Sequence, residues 1–370
     1  MHILQIYKDY PPIMGGIEHH LRDLAEGLAA RGHQITVLVT SQDRQTSLEY
    51  PLPGLTIVRA ARDLHLASTP FSMDMLRRVR SIRADIVHLH FPYPPGDLAA
   101  LLAPGRVPLV VTYHSDIVRQ QNLLRFYRPL LEVTLRRASR LLASSPAYIQ
   151  SSPWLRRYAA KCTVVPLGVD PVRFAAADPQ YVADLRTKLG NGILALFVGR
   201  LRYYKGLHIL LEALPHVPGV QLVVAGSGPE QNRLMAQMQV LGLAGRVHFL
   251  GDVADAELAT LYHAGDMFVL PAHLRAEAFG IAQAEALASG LPCISTELGT
   301  GTSFVNQHGQ TGIVVPPNDP AALARAMHAL AASPELRRFY GANARQRIMA
   351  HFTREQMLDT VEQVYREVGR

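Results

Sequence analysis

The sequence predicts an α/β protein with two parallel-sheet domains, on three observations. Short apolar runs alternate with amphipathic stretches from the start, as in HILQIY, IEHHLRDLAEGLAARGH and QITVLVT, the pattern of parallel strands joined by right-handed crossovers. The alternation breaks in KCTVVPLGVDPVRF, where Pro166, Gly168 and Pro171 punctuate a strand end, and restarts at ILALFVGRL. The 370 residues suffice for two domains, each with its own core. The expected boundary is 167/168.

Composition narrows the class. Hydrophobic residues make up 48% and charged residues 18%, an ordinary globular balance. No apolar run approaches the ~18–20 residues that span a bilayer, and MHILQIY has no basic leader before a long apolar run. The expected location is cytoplasmic. Cys162 and Cys293 fall in strand-like KCTVV and LPCIST of different domains, so buried thiols are expected rather than a disulfide or metal site. Residues 1–170 hold 20 Lys and Arg against 13 Asp and Glu, whereas residues 171–370 hold 17 of each. Without zinc-finger spacing, an aromatic RNA motif or a recognition helix, this basic half argues for anionic lipid rather than nucleic acid.

In chain order, Ile17, Leu21, Leu24 and Leu28 form one helical stripe that Gly32 ends. Gly15 and Gly16, between the first strand and this helix, suit a plain turn or backbone donors for an anion. LTIVRA and ADIVHLHFPYP read as strands, separated by a short helical stretch whose Arg77, Arg78, Arg80 and Arg83 make a cationic, solvated face. His88 and His90 alternate on one strand face; no third metal ligand is indicated, which favours packing. PLVVTYHSD carries His114 and Asp116 to the carboxyl end of a strand. The next segment mixes Leu, Phe and Tyr with Arg119, Arg125, Arg128, Arg136, Arg137 and Arg140. It suits a wet helix face or anionic headgroups, each cation contributing on the order of 1 kcal/mol.

The second half opens on a strand ending at Gly199, with Arg200 and Lys205 bracketing the following loop. Arg can grip phosphate oxygens through its planar fork, and Lys supplies a point charge. Gly226-Ser227-Gly228 makes another turn, incomplete as a dinucleotide fingerprint. In AEAFGIAQAEALASGLPCIST, between two apolar strands, Phe279-Gly280 reads as a tight turn and Ile281 as a helix start. Its first N–H groups would bind an anion, while Glu285, one turn in, would accept from vicinal hydroxyls. Eight helical residues separate the Glu277 and Glu285 carboxylates by about 12 Å, beyond the roughly 5–9.5 Å of hydrolytic pairs. Two binding roles fit better than an acid/base couple.

Glu277-Ala-Phe-Gly-Ile-Ala-Gln-Ala-Glu285 resembles the E-x7-E motif of retaining glycosyltransferase family 4. The resemblance extends to the GG-x-E opening with Glu18, to T-x-H-x-D over Thr112, His114 and Asp116, to G-R-L…K-G and to G-x-G-P-E, covering nearly the whole chain. YKDYPPIMGGIEHH, RYYKGL and STELGTGTSF look most like bacterial O-antigen and exopolysaccharide mannosyl- or rhamnosyltransferases. The resemblance implies a GT-B fold, two Rossmann-like domains facing a central cleft. Residues 1–167 would take the acceptor, 168–353 the donor, and the last helix, about 354–370, would cross back to the first domain.

Residue by residue, the resemblance puts His114, Glu277, Phe279 and Gly280 at the donor sugar and Arg200, Lys205, Gly16, Gly280 and Ile281 at its phosphates. Glu285 would hold the ribose, with Leu250, Gly251, Asp252 and Val253 toward the base and Gly15, Gly16 and Asp116 toward the acceptor. His114 and Glu277 are the expected catalytic residues. The expected reaction moves a hexose from a GDP-sugar to a saccharide, polyprenyl-linked acceptor, with retention and without metal or other cofactor, at the cytoplasmic face of the inner membrane. A UDP-sugar donor, an epimerase of the same architecture and a membrane-associated scaffold are the alternatives.

Overall fold

The computed structural model describes every residue except 14, 67–68, 118–120, 191 and 370, and residues 121–124 as helix backbone; Arg119 lies outside the described residues. Two compact units emerge, Met1–Leu167 with Arg354–Arg370, and Gly168–Thr353.

The first unit contains strands β1 (His2–Ile6), β2 (Gln34–Thr40), β3 (Ser47–Leu52), β4 (Leu55–Ala60), the pair β5 (Leu64–Leu66) and β6 (Thr69–Phe71), then β7 (Ile86–Phe91), β8 (Leu109–Tyr113), β9 (Arg140–Ala143) and β10 (Cys162–Val164). Its main sheet runs β10-β9-β8-β7-β1-β2-β4-β3. Helices cover both faces of its centre, so every residue of β7 and β8 is buried. The edge departs from the all-parallel expectation. β3 pairs antiparallel with β4, because a two-residue connection ending in Gly54, φ +82°, can only make a hairpin.

The helix Gly16–Ala30 buries Leu21, Leu24, Ala25 and Leu28, and Gly32 at φ +86° follows its end. Its other neighbour is the final helix, Arg354–Val368, which buries Met357, Leu358, Val361, Val364 and Tyr365. Gly27 makes that approach possible: a Cβ there would lie 2.5 Å from Leu358. Arg31 ties the rim, reaching Glu355 at 2.5 Å, Asp359 at 2.8 Å and Glu362 at 3.2 Å. The arginine-rich stretch is helical only over Met73–Arg78. There Arg78 pairs with Asp74 at 2.6 Å, and a turn bond from the Ser81 N–H to Arg78 O leaves Arg80 and Arg83 outside.

The second unit is a parallel sheet of β11 (Ile193–Val198), β12 (Val220–Ala225), β13 (Val247–Gly251), β14 (Met267–Leu270), β15 (Cys293–Thr296) and β16 (Gly312–Val315), in the order β13-β12-β11-β14-β15-β16. Phe197, Leu210, Val224, Met267, Val269 and Met327 sit in its core. Order reverses between β11 and β14, the place where open α/β sheets bind ligands beyond their carboxyl ends. Both cysteines are free; Cys293 is buried, while Cys162 is only half-buried because β10 is an edge strand. Among the described residues no helix is long and apolar enough to cross a membrane.

Candidate active site

In the second unit, β11 delivers the loop that begins at Gly199 and ends at Gly206, φ +73°. A Cβ on Gly206 would collide with Pro271 O, so glycine lets this loop lie directly on the chain leaving β14. That seating places Lys205 Nζ 2.8 Å from Glu277 Oε2. Burial alone would lower the lysine's pKa, but the Glu277 carboxylate, which also accepts its hydrogen bond, and that of Glu285 outweigh it and hold the ammonium above its ordinary value. Arg200, at the start of the same loop, is exposed.

The Glu277 backbone is fixed from β15's following loop, where Thr300 Oγ1 donates to Glu277 O at 2.9 Å and the Gly301 N–H to Ala278 O at 2.7 Å. Gly280, at φ +82°, turns the chain into the helix Ile281–Ala288. The first helical bonds run from Gln283 and Ala284 to Gly280 O, so the Ile281 and Ala282 amides precede the ladder. The Phe279 side chain packs on Phe352, ring centroids 6.1 Å apart, which leaves its backbone as the part available to a ligand. Glu285 is half-buried and accepts from Tyr262 OH at 2.8 Å.

The GSG turn abuts this loop. A Cβ on Gly226 would collide with Gly199 O, and one on Gly228 would fall 2.5 Å from Leu201 O. The Gly226 N–H donates to Gly251 O at 2.6 Å and Ser227 Oγ to Asp252 Oδ2 at 2.8 Å. Leu250 is exposed and Val253 half-buried beside them. These glycines serve close approach between turns, a structural need independent of any ligand.

In the first unit, Gly15 precedes the helix and Gly16 opens it. A Cβ on Gly15 would strike Glu18 Oε2, so the buried Glu18 carboxylate folds back over the helix start, as in a capping box. An anion at Gly15-Gly16 would therefore meet a carboxylate already there, which weighs against Gly16 as a phosphate site. Asp116 is also engaged, its Oδ1 accepting from Tyr113 OH at 3.0 Å and Ser152 Oγ at 2.7 Å.

His114 lies at the end of β8 in a cluster of four imidazoles. Its Nε2 is 3.0 Å from His90 Nδ1, the rings stacking at 14°. His20, from the helix Gly16–Ala30, stands edge-on to both, at 5.2 Å from His114 and 5.7 Å from His90. His88 stacks beneath His90 and joins Tyr365 OH at 2.6 Å and Thr112 Oγ1 at 2.7 Å. Burial lowers the pKa of all four, His20 to about 4 and His88 to about 3, so the rings are neutral near pH 7. The sequence reading missed His20, Tyr262, Thr300 and Gly301. His88 and His90 were visible as alternate positions on one strand face and His114 as a strand-end histidine, but nothing in the sequence brings His20 to them.

Two doubly wound α/β units give the chain the GT-B fold. Residues 14–173 match the family model described as Glycosyltransferase Family 4 and residues 186–347 that of Glycosyl transferases group 1. The chain is 43% identical to the D-rhamnosyltransferase WbpZ of Pseudomonas aeruginosa, over 95% of this chain and 92% of that protein. It is 39% identical to the O-antigen chain mannosyltransferase C of Escherichia coli, over 99% and 98%. Sucrose-phosphate synthase from Thermosynechococcus elongatus superposes with a TM-score of 0.85 at 24% identity, covering 100% of this chain and 99% of that one. The chain belongs to glycosyltransferase family 4.

Proposed function

We propose that this glycosyltransferase moves a hexose, mannose or rhamnose, from a GDP-sugar to a saccharide carried on a lipid, with retention, in cell-surface polysaccharide synthesis. The observation that carries the reading is the 2.8 Å Lys205–Glu277 pair beside the Gly280 turn, with Glu285 one helical turn on. It supplies a cation and backbone amides for a diphosphate, a carboxylate for the ribose and a second carboxylate for the sugar. The names of the two relatives supply the choice of hexose.

The bond from the anomeric carbon to the diphosphate oxygen breaks as Lys205, Arg200 and the Ile281 amide take up the charge of the leaving group. The acceptor hydroxyl attacks on the face the diphosphate leaves, and its proton passes to the departing phosphate oxygen. No metal is required for this charge balance. His114, neutral, orients the sugar as a hydrogen-bonding partner. The basic helix Gln121–Arg137, with Arg125, Phe126, Val133 and Arg136 exposed and Leu131 and Leu135 buried, is the surface we assign to anionic headgroups at the cytoplasmic face.

The test is thermal stabilisation by GDP, UDP and ADP, without metal and then with magnesium. A nucleotide at ~100 times its Kd adds ~2.7 kcal/mol. Selective stabilisation by metal-free GDP supports the reading, selective UDP binding replaces the donor, and no response to any nucleotide overturns it.

A further inference from the structure

We propose that His20, His90 and His114 form a binding site for a single borderline transition-metal ion, Zn2+ or Co2+, whose occupation blocks glycosyl transfer by withdrawing His114. The first part stands on geometry alone; the inhibitory consequence rests on the role given to His114 above. One ring nitrogen from each of the three lies within 4.8 Å of those of the other two. Zn–N bonds of about 2.0–2.1 Å in a tetrahedron put ligand nitrogens about 3.3–3.4 Å apart. The His90–His114 separation of 3.0 Å is within a few tenths of an ångström of that edge, so a metal can replace the shared proton by a slight opening of the pair. His20 closes in by side-chain rotation.

Further features fit a metal as well as simple packing. The ligands come from three separate segments, the helix Gly16–Ala30, strand β7 and the residue that follows β8, whose N–H donates to Phe91 O at 3.0 Å. His20 and His114 keep 6% and 7% exposure where His90 has none, so the cluster's approach to solvent lies on their side. An all-imidazole donor set selects Zn2+, Co2+ or Ni2+ over Mg2+, whose preference is for oxygen.

The experiment is a titration of the untagged full chain with Co2+, read by its visible d–d absorption. A tetrahedral band saturating at one ion per chain, displaced by Zn2+ and unaffected by a large excess of Mg2+, is expected. His20→Phe keeps the aromatic packing and should abolish the band while the far-UV circular dichroism stays unchanged; His20→Gln repeats the test should the phenylalanine disturb folding. Absence of the band, or a band that survives both substitutions, overturns the site. Equimolar Zn2+ should lower sugar transfer at least tenfold in the parent chain and leave the residual transfer of His20→Phe unaltered. A chain that binds Co2+ at this site yet transfers sugar undiminished overturns the inhibitory half. Failure to turn over any donor counts against the function proposed above, while the absorption still decides the site.

Discussion

Lys205 Nζ and Glu277 Oε2 meet at 2.8 Å across 72 residues of sequence, with only 13% and 10% of their side chains in water. The pair is a structural clasp and, in the function proposed above, the part that a diphosphate would disturb first. Removing one partner of a buried pair leaves the other charge unpaired, typically at a cost of about 3–5 kcal/mol. Lys205→Ala should therefore lower the melting temperature and abolish both nucleotide stabilisation and turnover. Glu277→Ala should lower turnover by about 10²–10³-fold while nucleotide binding, read by isothermal calorimetry, stays within a few-fold. Undiminished turnover in either variant removes that residue from the site.

Tyr262 positions Glu285. It is fully buried and its hydroxyl donates to the carboxylate at 2.8 Å. Tyr262→Phe deletes that single donor, and a hydrogen bond to a charged group is worth about 1.5–3 kcal/mol. Nucleotide affinity should fall by about tenfold or more, with the same loss for GDP and GDP-sugar. A matched assay with a 2′,3′-dideoxynucleotide separates positioning from stability. The penalty should vanish there, and a penalty that persists indicates a general loss of fold.

Gly206 and Gly242 make a controlled pair. Both have positive φ, +73° and +67°, so alanine strains either by about 1–2 kcal/mol. Only at Gly206 would the new Cβ also collide with Pro271 O; at Gly242 nothing lies within 4 Å. Gly206→Ala should displace Lys205 and eliminate nucleotide binding, whereas Gly242→Ala should show a modest melting shift and full binding. Equal behaviour of the two would mean that the close approach at Gly206 has no part in the site.

Asp97 gives the first unit a pH dependence. It has no solvent exposure, and burial pushes its carboxyl up to about 7, with Tyr127 OH, donating at 2.6 Å, pulling the other way. Between the unfolded value near 3.9 and about 7 the folded state holds the extra proton, so this group's contribution is full below the lower value and is lost as pH rises. The slope is about 1.4 kcal/mol per pH unit within that window. Asp97→Asn should be more stable relative to the parent at pH 8 than at pH 4. Denaturation at both values checks this, and a pH-independent difference would contradict it.

Much of the fold was legible because its signals are local. The stripe of Ile17, Leu21, Leu24 and Leu28, the strand-end glycines and the helix start after Gly280 each depend on neighbours within a turn or two. The hairpin formed by β3 was not, because SLEYPL is short, carries Pro51 and leaves Leu48 and Tyr50 largely exposed, so no buried face marks it as part of the sheet. The length of the Met73–Arg78 helix was misjudged for a related reason: charge was read as pattern, while the turn bonds at Ser81 decided the end.

By itself, the sequence determined that the chain alternates strands and helices in two blocks, that Lys205, Glu277 and Gly280 stand in loops that follow strands, and that Glu285 stands one turn into the next helix. Backbone propensity and apolar spacing set those features residue by residue. Only the tertiary structure decided which charges neutralise each other, that Glu18 covers the helix start at Gly15, that Tyr262 holds Glu285, and that His20 joins His90 and His114. Those contacts link side chains far apart in the chain, and their distances are set by how helices pack on sheets.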